Sequence, residues 1–264
     1  DLNFGVKGTY RTLQTTIDDF CDPRPIDAFA VRNNIDTSNY GGFGCANFNP
    51  GEANSFFIDF AGNQTYTRVD LSETDLGFPK AKRTYKALDV FAEHPLRNGW
   101  FGRINYTWSK NEGNTEGQTL SDVAQTDVAA TQTWDHPELM VGAYGLLPNH
   151  REHQVKAFGM YEISPQFAIG ANGLIASGRP VNCIGNDDNV DEHVNYGSAY
   201  RTCAGVPMPR GTTGKLPTDI RLDMNLVFKP MQVKGLSLKM DVFNVANRQA
   251  AQTVDEASNS GAAA

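Results

Sequence analysis

Five histidines, four cysteines and a run of carboxylates are the side chains of this sequence with chemistry beyond solvation. Metal binding is the first possibility they raise. His94, His136, His150, His153 and His193 are scattered, with no HExxH or comparable spacing that would put two ligands on one helix face. His150, Glu152 and His153 stand close together, but a hydrogen-bonding role between a loop and the following strand explains them better than a metal cluster does. Asp187, Asp188, Asp191 and Glu192, with Asn186 and Asn189, match a calcium loop in composition only. The D-x-[DN]-x-[DN]-G order is missing, so they read as a solvated acidic loop. Ser177-Gly178 runs into Arg179 rather than into a hydrolase elbow. Gly41-Gly42-Phe43-Gly44 opens no helix, which argues against a phosphate cradle. No catalytic residue, metal or cofactor is assigned, and the chain reads as a non-enzyme.

The cysteines fall as two local pairs, each inside a long polar segment, and none has CxxC spacing. We expect Cys21–Cys45 and Cys183–Cys203 to be disulfides that staple loops in an oxidising compartment, with free buried thiols as the alternative.

The elements that must carry these loops are clearest between Lys215 and Asn247. Ile220, Leu222, Met224, Leu226 and Phe228 alternate with Asp219, Arg221, Asp223 and Asn225. After a polar connection, Pro230 to Lys234, closed by Gly235, Leu236, Leu238, Met240 and Val242 alternate with Ser237, Lys239 and Asp241. Successive strand side chains point to opposite faces, so this is an antiparallel hairpin with one apolar and one charged face. Each strand should run to roughly eleven residues, about twice the usual globular length. A soluble half-buried sheet would alternate in the same way. A transmembrane barrel would also require the length, since tilted strands of about nine to eleven residues cross the hydrocarbon.

The remainder of the chain favours the barrel. Strands are expected at about Leu2 to Leu13, Arg83 to Glu93, Trp100 to Lys110, Gln154 to Ile163 and Gln166 to Ser177. A further short pair is expected around Phe56 to Phe60 and Thr65 to Leu71, in or after a long irregular segment that reaches about Ala61. Connections alternate strictly between long and short, with a short turn over His94 to Gly99 and another at Ser164-Pro165. Outer-membrane barrels show this asymmetry because their periplasmic turns are short and their extracellular loops long. Trp100 and Phe101 at one end of a strand, with Tyr106 and Trp108 near the other, fit interfacial girdles. Mean hydropathy is -0.43, which suits a barrel because only alternate residues meet lipid. The formal charge of -7 argues against nucleic acid as a partner. Seven strands are odd in number and too few for a closed barrel, and an open sheet leaves amides unsatisfied in lipid. The expectation is therefore an all-β, antiparallel up-and-down transmembrane β-barrel present only in part, with residues 1–264 as a piece of a longer protein.

Several strings resemble the C-terminal barrel of TonB-dependent outer-membrane receptors of the Oar-like, OmpA-related branch. They are LGFPKAKRTYKALDV (Leu76 to Val90), INYTWSKNEGNTEG (Ile104 to Gly117) and WDHPELMVGAYGLLPNHREHQVKAFGMY (Trp134 to Tyr161). IASGRP (Ile175 to Pro180), TDIRLDMNL (Thr218 to Leu226) and DVFNVANRQ (Asp241 to Gln249) complete the set. His150 and Glu152, and Val245-Ala246 in the last string, depart from the family pattern. The resemblance implies a plugged barrel of roughly 22 strands in the Gram-negative outer membrane. It also implies a plug domain N-terminal to these residues, the periplasmic partner TonB, and import of a scarce small-molecule or peptide ligand. Trp134, Tyr144, Tyr196 and Tyr200 in the long loops are the candidates for ligand contact. Asp89, Arg103, Lys156, Glu162, Arg221, Asp223, Lys239 and Asp241 are the candidates for facing the lumen, where they would pair across strands or shape a substrate path. A plug-less porin or surface scaffold, and a secreted soluble all-β binding domain, are the competing readings.

Overall fold

Strict alternation makes strands because each pleat then sends one chemistry to each side. The computed structural model describes residues 2–187, 196–197 and 199–258. Strand β1 (Asn3–Thr12) leads into an excursion holding β2 (Asp18–Phe20), helix α1 (Arg24–Arg32), β3 (Ala46–Phe48), β4 (Asn54–Ile58), β5 (Thr67–Leu71) and helix α2 (Glu73–Leu76). The hairpin β6 (Arg83–Arg97) and β7 (Trp100–Gly113) follows. A second excursion carries three 3-10 turns and β8 (Gly145–Leu146), and ends at the hairpin β9 (His153–Ser164) and β10 (Phe167–Ala176). The third excursion contains β11 (Thr202–Cys203) and β12 (Val206–Pro207). The last hairpin is β13 (Asp219–Phe228) and β14 (Leu238–Val242).

The main sheet runs in the order β1-β6-β7-β9-β10-β13-β14, with every pair antiparallel and β8 added beside the end of β7. This is an up-and-down sheet in chain order, and it does not close on itself. The three excursions leave from one rim and the short turns sit at the other. No described helix is long and apolar enough to cross a membrane, and crossing by strands needs none.

The turns explain where the hairpins bend. Asn98 and Gly99 have φ of 50° and 79°, the two positive values that a type I′ turn requires. The bend is therefore tighter than the expected His94 to Gly99 turn, and pairing extends to Arg97↔Trp100. A register shift between His94 and Arg97 absorbs Pro95, which has no N–H for a ladder. At the β9–β10 turn, Ser164 Oγ accepts from the backbone N–H groups of Gln166 and Phe167, at 3.3 and 3.2 Å.

Two expectations are corrected here. The second strand of the last hairpin is half the predicted length: pairing starts at Phe228↔Leu238 and ends at Met224↔Val242. Extending the register would put Leu236 opposite Pro230, which has no N–H to give to a ladder. The first excursion is also not irregular. Ile26 and Ala30 of α1 pack with Phe20, Phe48, Phe56, Phe60, Val69, Leu71, Leu76 and Phe78 in one buried cluster. Trp134, Met140 and Ala143 of the second excursion join the same cluster. The excursions thus form a cap with a hydrophobic core of its own. Helix α2 opens on a capping box between Ser72 and Asp75 and closes at Gly77 in the left-handed conformation, φ 72°. The expected short pair is present as β4 and β5. Both disulfides form as expected, Cys21–Cys45 and Cys183–Cys203.

Candidate functional site: the polar wall and its vestibule

Register settles which side chains share a face, because directly paired residues project the same way. Asn3, Glu93, Arg103, Phe158, Asn172 and Asp223 lie on one continuous row across the sheet. The next row holds Phe91, Asn105, Lys156, Leu174 and Arg221. Asp89 pairs with Thr107, Asp241 with Asn225, and Lys239 and Glu162 fall on the row of Val227 and Ala168. All eight charged candidates therefore project from the same face of the sheet.

The opposite face is apolar through the middle of the sheet and turns polar at the rim of the excursions, where Tyr10, Lys86 and Lys110 share a row. Ala92, Ile104, Ala157, Gly173 and Leu222 form one row, and Val6, Val90, Tyr106, Val155 and Ile175 another. Among the described residues no second layer covers these rows. Phe4 is 71%, Ile104 50%, Leu238 53% and Met240 57% exposed, and the buried cluster lies in the cap instead. A water-soluble sheet would have to bury such a surface. At the rim of the long excursions Tyr106 stacks on His153 and shares a 2.8 Å hydrogen bond with its Nδ1; at the turn rim His94 stacks on Trp100 at 3.5 Å. Paired aromatic and imidazole groups at both ends suit an amphipathic interface.

Charges on the polar face are held locally. Arg103 reaches Glu93 across strands at 3.0 Å and Asn105 along its own strand at 3.0 Å, with its guanidinium 4.4 Å above the Phe91 ring. Phe91 in turn lies flat over Gly5, where a Cβ would meet the ring at 2.2 Å. Arg221 pairs with Asp219 and Lys239 with Asp241, both at 2.9 Å and both two residues apart on one face. Thr107 Oγ1 donates to Asp89 at 2.5 Å, and Asp223 accepts from Asn244 N at 2.8 Å.

Where this wall meets the excursions it forms an open vestibule of about 580 Å³, lined by Lys7, Arg11, Arg83, Tyr85, Asp89, Asn111 and Asn149 among others. Of the predicted lumen residues Asp89 alone contributes. The other six share the parity of the polar wall or come from the second excursion. Extending that parity to the strand ends would have found Lys7, Arg11, Arg83 and Tyr85; Asn149 has no such signal.

The four aromatic candidates separate. Tyr144 is 49% exposed, on the stretch before β8. Tyr196 is half-buried with an edge-on contact to His136. Trp134 is 1% and Tyr200 2% exposed, so neither presents its ring at the surface; Trp134 belongs to the buried cluster of the cap. Aromatic residues in long loops were expected to present surface, but a cap that folds around its own core needs them inside. His150 takes the hydrogen-bonding role: its Nδ1 accepts from the Asn111 backbone N–H at 3.2 Å, and burial holds the imidazole neutral by lowering its pKa. Asp188, Asp191, Glu192, Asn189 and His193 lie outside the described residues. Among the described residues, Asp19 with Cys21 and Cys45 is the one grouping at metal-ligand distances, and both of its sulfurs are in a disulfide.

The chain was compared with known proteins. Over 185 residues, 68% of its length, it is 31% identical to the TonB-dependent transporter Oar of Myxococcus xanthus, of which it spans 16%. The chain belongs to the Oar-like TonB-dependent transporter family. No family model matches it. The crystal structure of the outer membrane transporter YddB from Escherichia coli superposes on 78% of the chain and 26% of its own, with a TM-score of 0.45 and 12% identity. Family membership agrees with the two-faced sheet, since a barrel wall has a polar side and an apolar side.

One titration in the cap makes a testable prediction. Asp135 is buried near Asp18 and Asp19, and burial raises its pKa to about 6. The folded state then holds a proton that the unfolded state releases between pH 3.8 and 6, so the cap loses stability as pH rises through that window. Asp135→Asn, which keeps an acceptor for Tyr196, is expected to stabilise the cap by on the order of 2 kcal/mol at pH 7.5. The advantage should vanish below pH 4. Thermal unfolding of the two proteins across pH reads it, and a constant difference would contradict the burial of an ionised Asp135.

Proposed function

We propose that the chain is part of the barrel wall of an outer-membrane, TonB-dependent receptor that imports a scarce small-molecule or peptide ligand. The observation that carries this reading is the single-face placement of all eight charged candidates opposite an uncovered apolar face, in a member of the Oar-like family. The two open edges of the sheet, β1 and β14, call for further strands, because unpaired amides are not tolerated in hydrocarbon. A plug domain N-terminal to these residues would occupy the polar side, with Arg103, Lys156 and Arg221 against it. The vestibule with Lys7, Arg11 and Arg83 is the first wall surface a solute meets below the cap. Energy would come through TonB, and no bond is made or broken by these residues.

Planar-bilayer recordings of the full-length protein test the reading. A plugged receptor is expected to give no sustained conductance until the plug is removed or unfolded by denaturant. Steady conductance of the untreated protein would favour a plug-less porin and sink the gated mechanism.

A further inference from the structure

On the apolar face, the row of Tyr10, Lys86 and Lys110 breaks the pattern. Lys86 and Lys110 pair directly across β6 and β7, and Tyr10 completes the row from β1. Both lysines are exposed, and so is Tyr10. Like charges placed opposite each other on an antiparallel ladder repel, with Cβ atoms about 5 Å apart. Carboxylates relieve this only in part. Glu112, one row further out, holds Lys110 at 2.6 Å, and among the described residues no carboxylate bridges to Lys86. The row therefore keeps a net positive charge on the side of the sheet that carries Val6, Val90 and Ile104.

Depth gives these charges a partner. Lys110 lies six residues beyond Ile104 on β7, and Lys86 six from Ala92, which pairs with Ile104. At about 3.4 Å per residue and a tilt near 40°, that is roughly 15 Å along the membrane normal. The hydrocarbon core is about 30 Å thick, so with Ile104 at its middle both lysines stand at the headgroup boundary. One row deeper Leu88 pairs with Trp108, and two rows deeper Val90 pairs with Tyr106, all four exposed. A pair of cations above an exposed apolar surface is complementary to a lipid with an anionic head. A lysine that only had to reach water would snorkel outward alone, with no need of a second one facing it.

We propose that Tyr10, Lys86 and Lys110 form a site for the phosphate of an outer-leaflet lipid, held between the two ammonium groups with its acyl chains over Leu88, Trp108 and Val90. The ammonium groups and the Tyr10 O–H supply donors to the phosphate oxygens, and the anion offsets the repulsion between the lysines. The occupant is phosphorylated lipid A, from which the outer leaflet of a Gram-negative outer membrane is built. The site rests on the reading of the wall given above, with lipid on the Ile104 side and the excursions outside the cell. It shares no residue with the vestibule.

The test titrates the full-length protein, in an uncharged detergent, with lipid A carrying both phosphates or with enzymatically dephosphorylated lipid A, and reads bound lipid by native mass spectrometry. Joint replacement, Lys86→Gln with Lys110→Gln, should weaken binding of the phosphorylated lipid about thirtyfold, since each lysine near an anionic membrane surface contributes about fivefold. Removing the phosphates should cost the wild type about as much, and Lys86→Arg with Lys110→Arg should keep the affinity. Lys229→Gln, which removes a charge at the turn rim, should change nothing, and inorganic phosphate at matched ionic strength should not displace the lipid. Full affinity in the double Gln variant, indifference to dephosphorylation, an equal loss in Lys229→Gln, or displacement by inorganic phosphate would each overturn the proposal. Oxygen collision at a spin label on residue 104, in the same protein reconstituted in lipid, reads the wall separately. Lipid contact at 104 without phosphate-dependent binding sinks the lipid site alone, whereas water contact at 104 sinks the wall and the site together.

Discussion

Trp134→Ala is expected to cost the cap about 3–5 kcal/mol, the usual range for removing a fully buried aromatic side chain. Trp134 is 1% exposed, with its ring 6.1 Å from Phe78 and 6.5 Å from Phe48. It is the bulkiest of the three residues, with Met140 and Ala143, that the second excursion adds to a core built by the first around Phe20, so its loss removes packing between two chain segments far apart in sequence. The damage should stay local, because β6, β7 and β9 take no part in that cluster. Limited proteolysis of the full-length protein should therefore show new cleavage within residues 13–82 and 114–152, while the strands stay protected. Tyr144→Ala, at a 49% exposed position, should change stability by about 0.5 kcal/mol or less. Equal protease resistance of Trp134→Ala and wild type would mean that the cap has no shared core.

Ile104→Arg is expected to destabilise the barrel by about 2–4 kcal/mol, the cost of a cation on the lipid side near the bilayer midplane. Ile104 is 50% exposed on the row of Ala92, Ala157 and Leu222, about midway between Trp100 and Trp108. Lys156→Leu, on the polar row of Asn105 and Arg221, should cost roughly 0.5 kcal/mol or less. The two residues lie on strands that pair directly, so depth is nearly matched and facing is the variable. Reversible unfolding in detergent or lipid gives both values. Similar penalties for the two changes would contradict the assignment of faces.

These two predictions also mark what was legible in the sequence. The wall was legible because a strand between lipid and water repeats one instruction at every second residue. Asp219 to Phe228 and Trp100 to Lys110 carry it with almost no error, so parity alone placed all eight lumen candidates on one face. The turn between β6 and β7 was legible but set too wide, at His94 to Gly99, and both cysteine pairs were legible for local reasons. The cap was not. Its strands are short, three residues in β2 and β3 and five in β4 and β5, too few for a period to show. Its core is assembled from residues as distant as Phe20 and Trp134, and no local pattern announces such contacts. Residue type misled for the same reason. Trp134 and Tyr200 look like Tyr144 in composition, yet long-range packing buries the first two and exposes the third.

A spin-label scan of β7 in the full-length protein, reconstituted in lipid, tests the two-faced wall most directly. Labels placed singly at residues 103 to 108 should alternate. Collision with oxygen, which partitions into hydrocarbon, should be high at 104, 106 and 108, and collision with a water-soluble nickel chelate should be higher at 103, 105 and 107. Uniform accessibility along the strand, or alternation of the opposite sense, would contradict a wall with lipid on its Ile104 side.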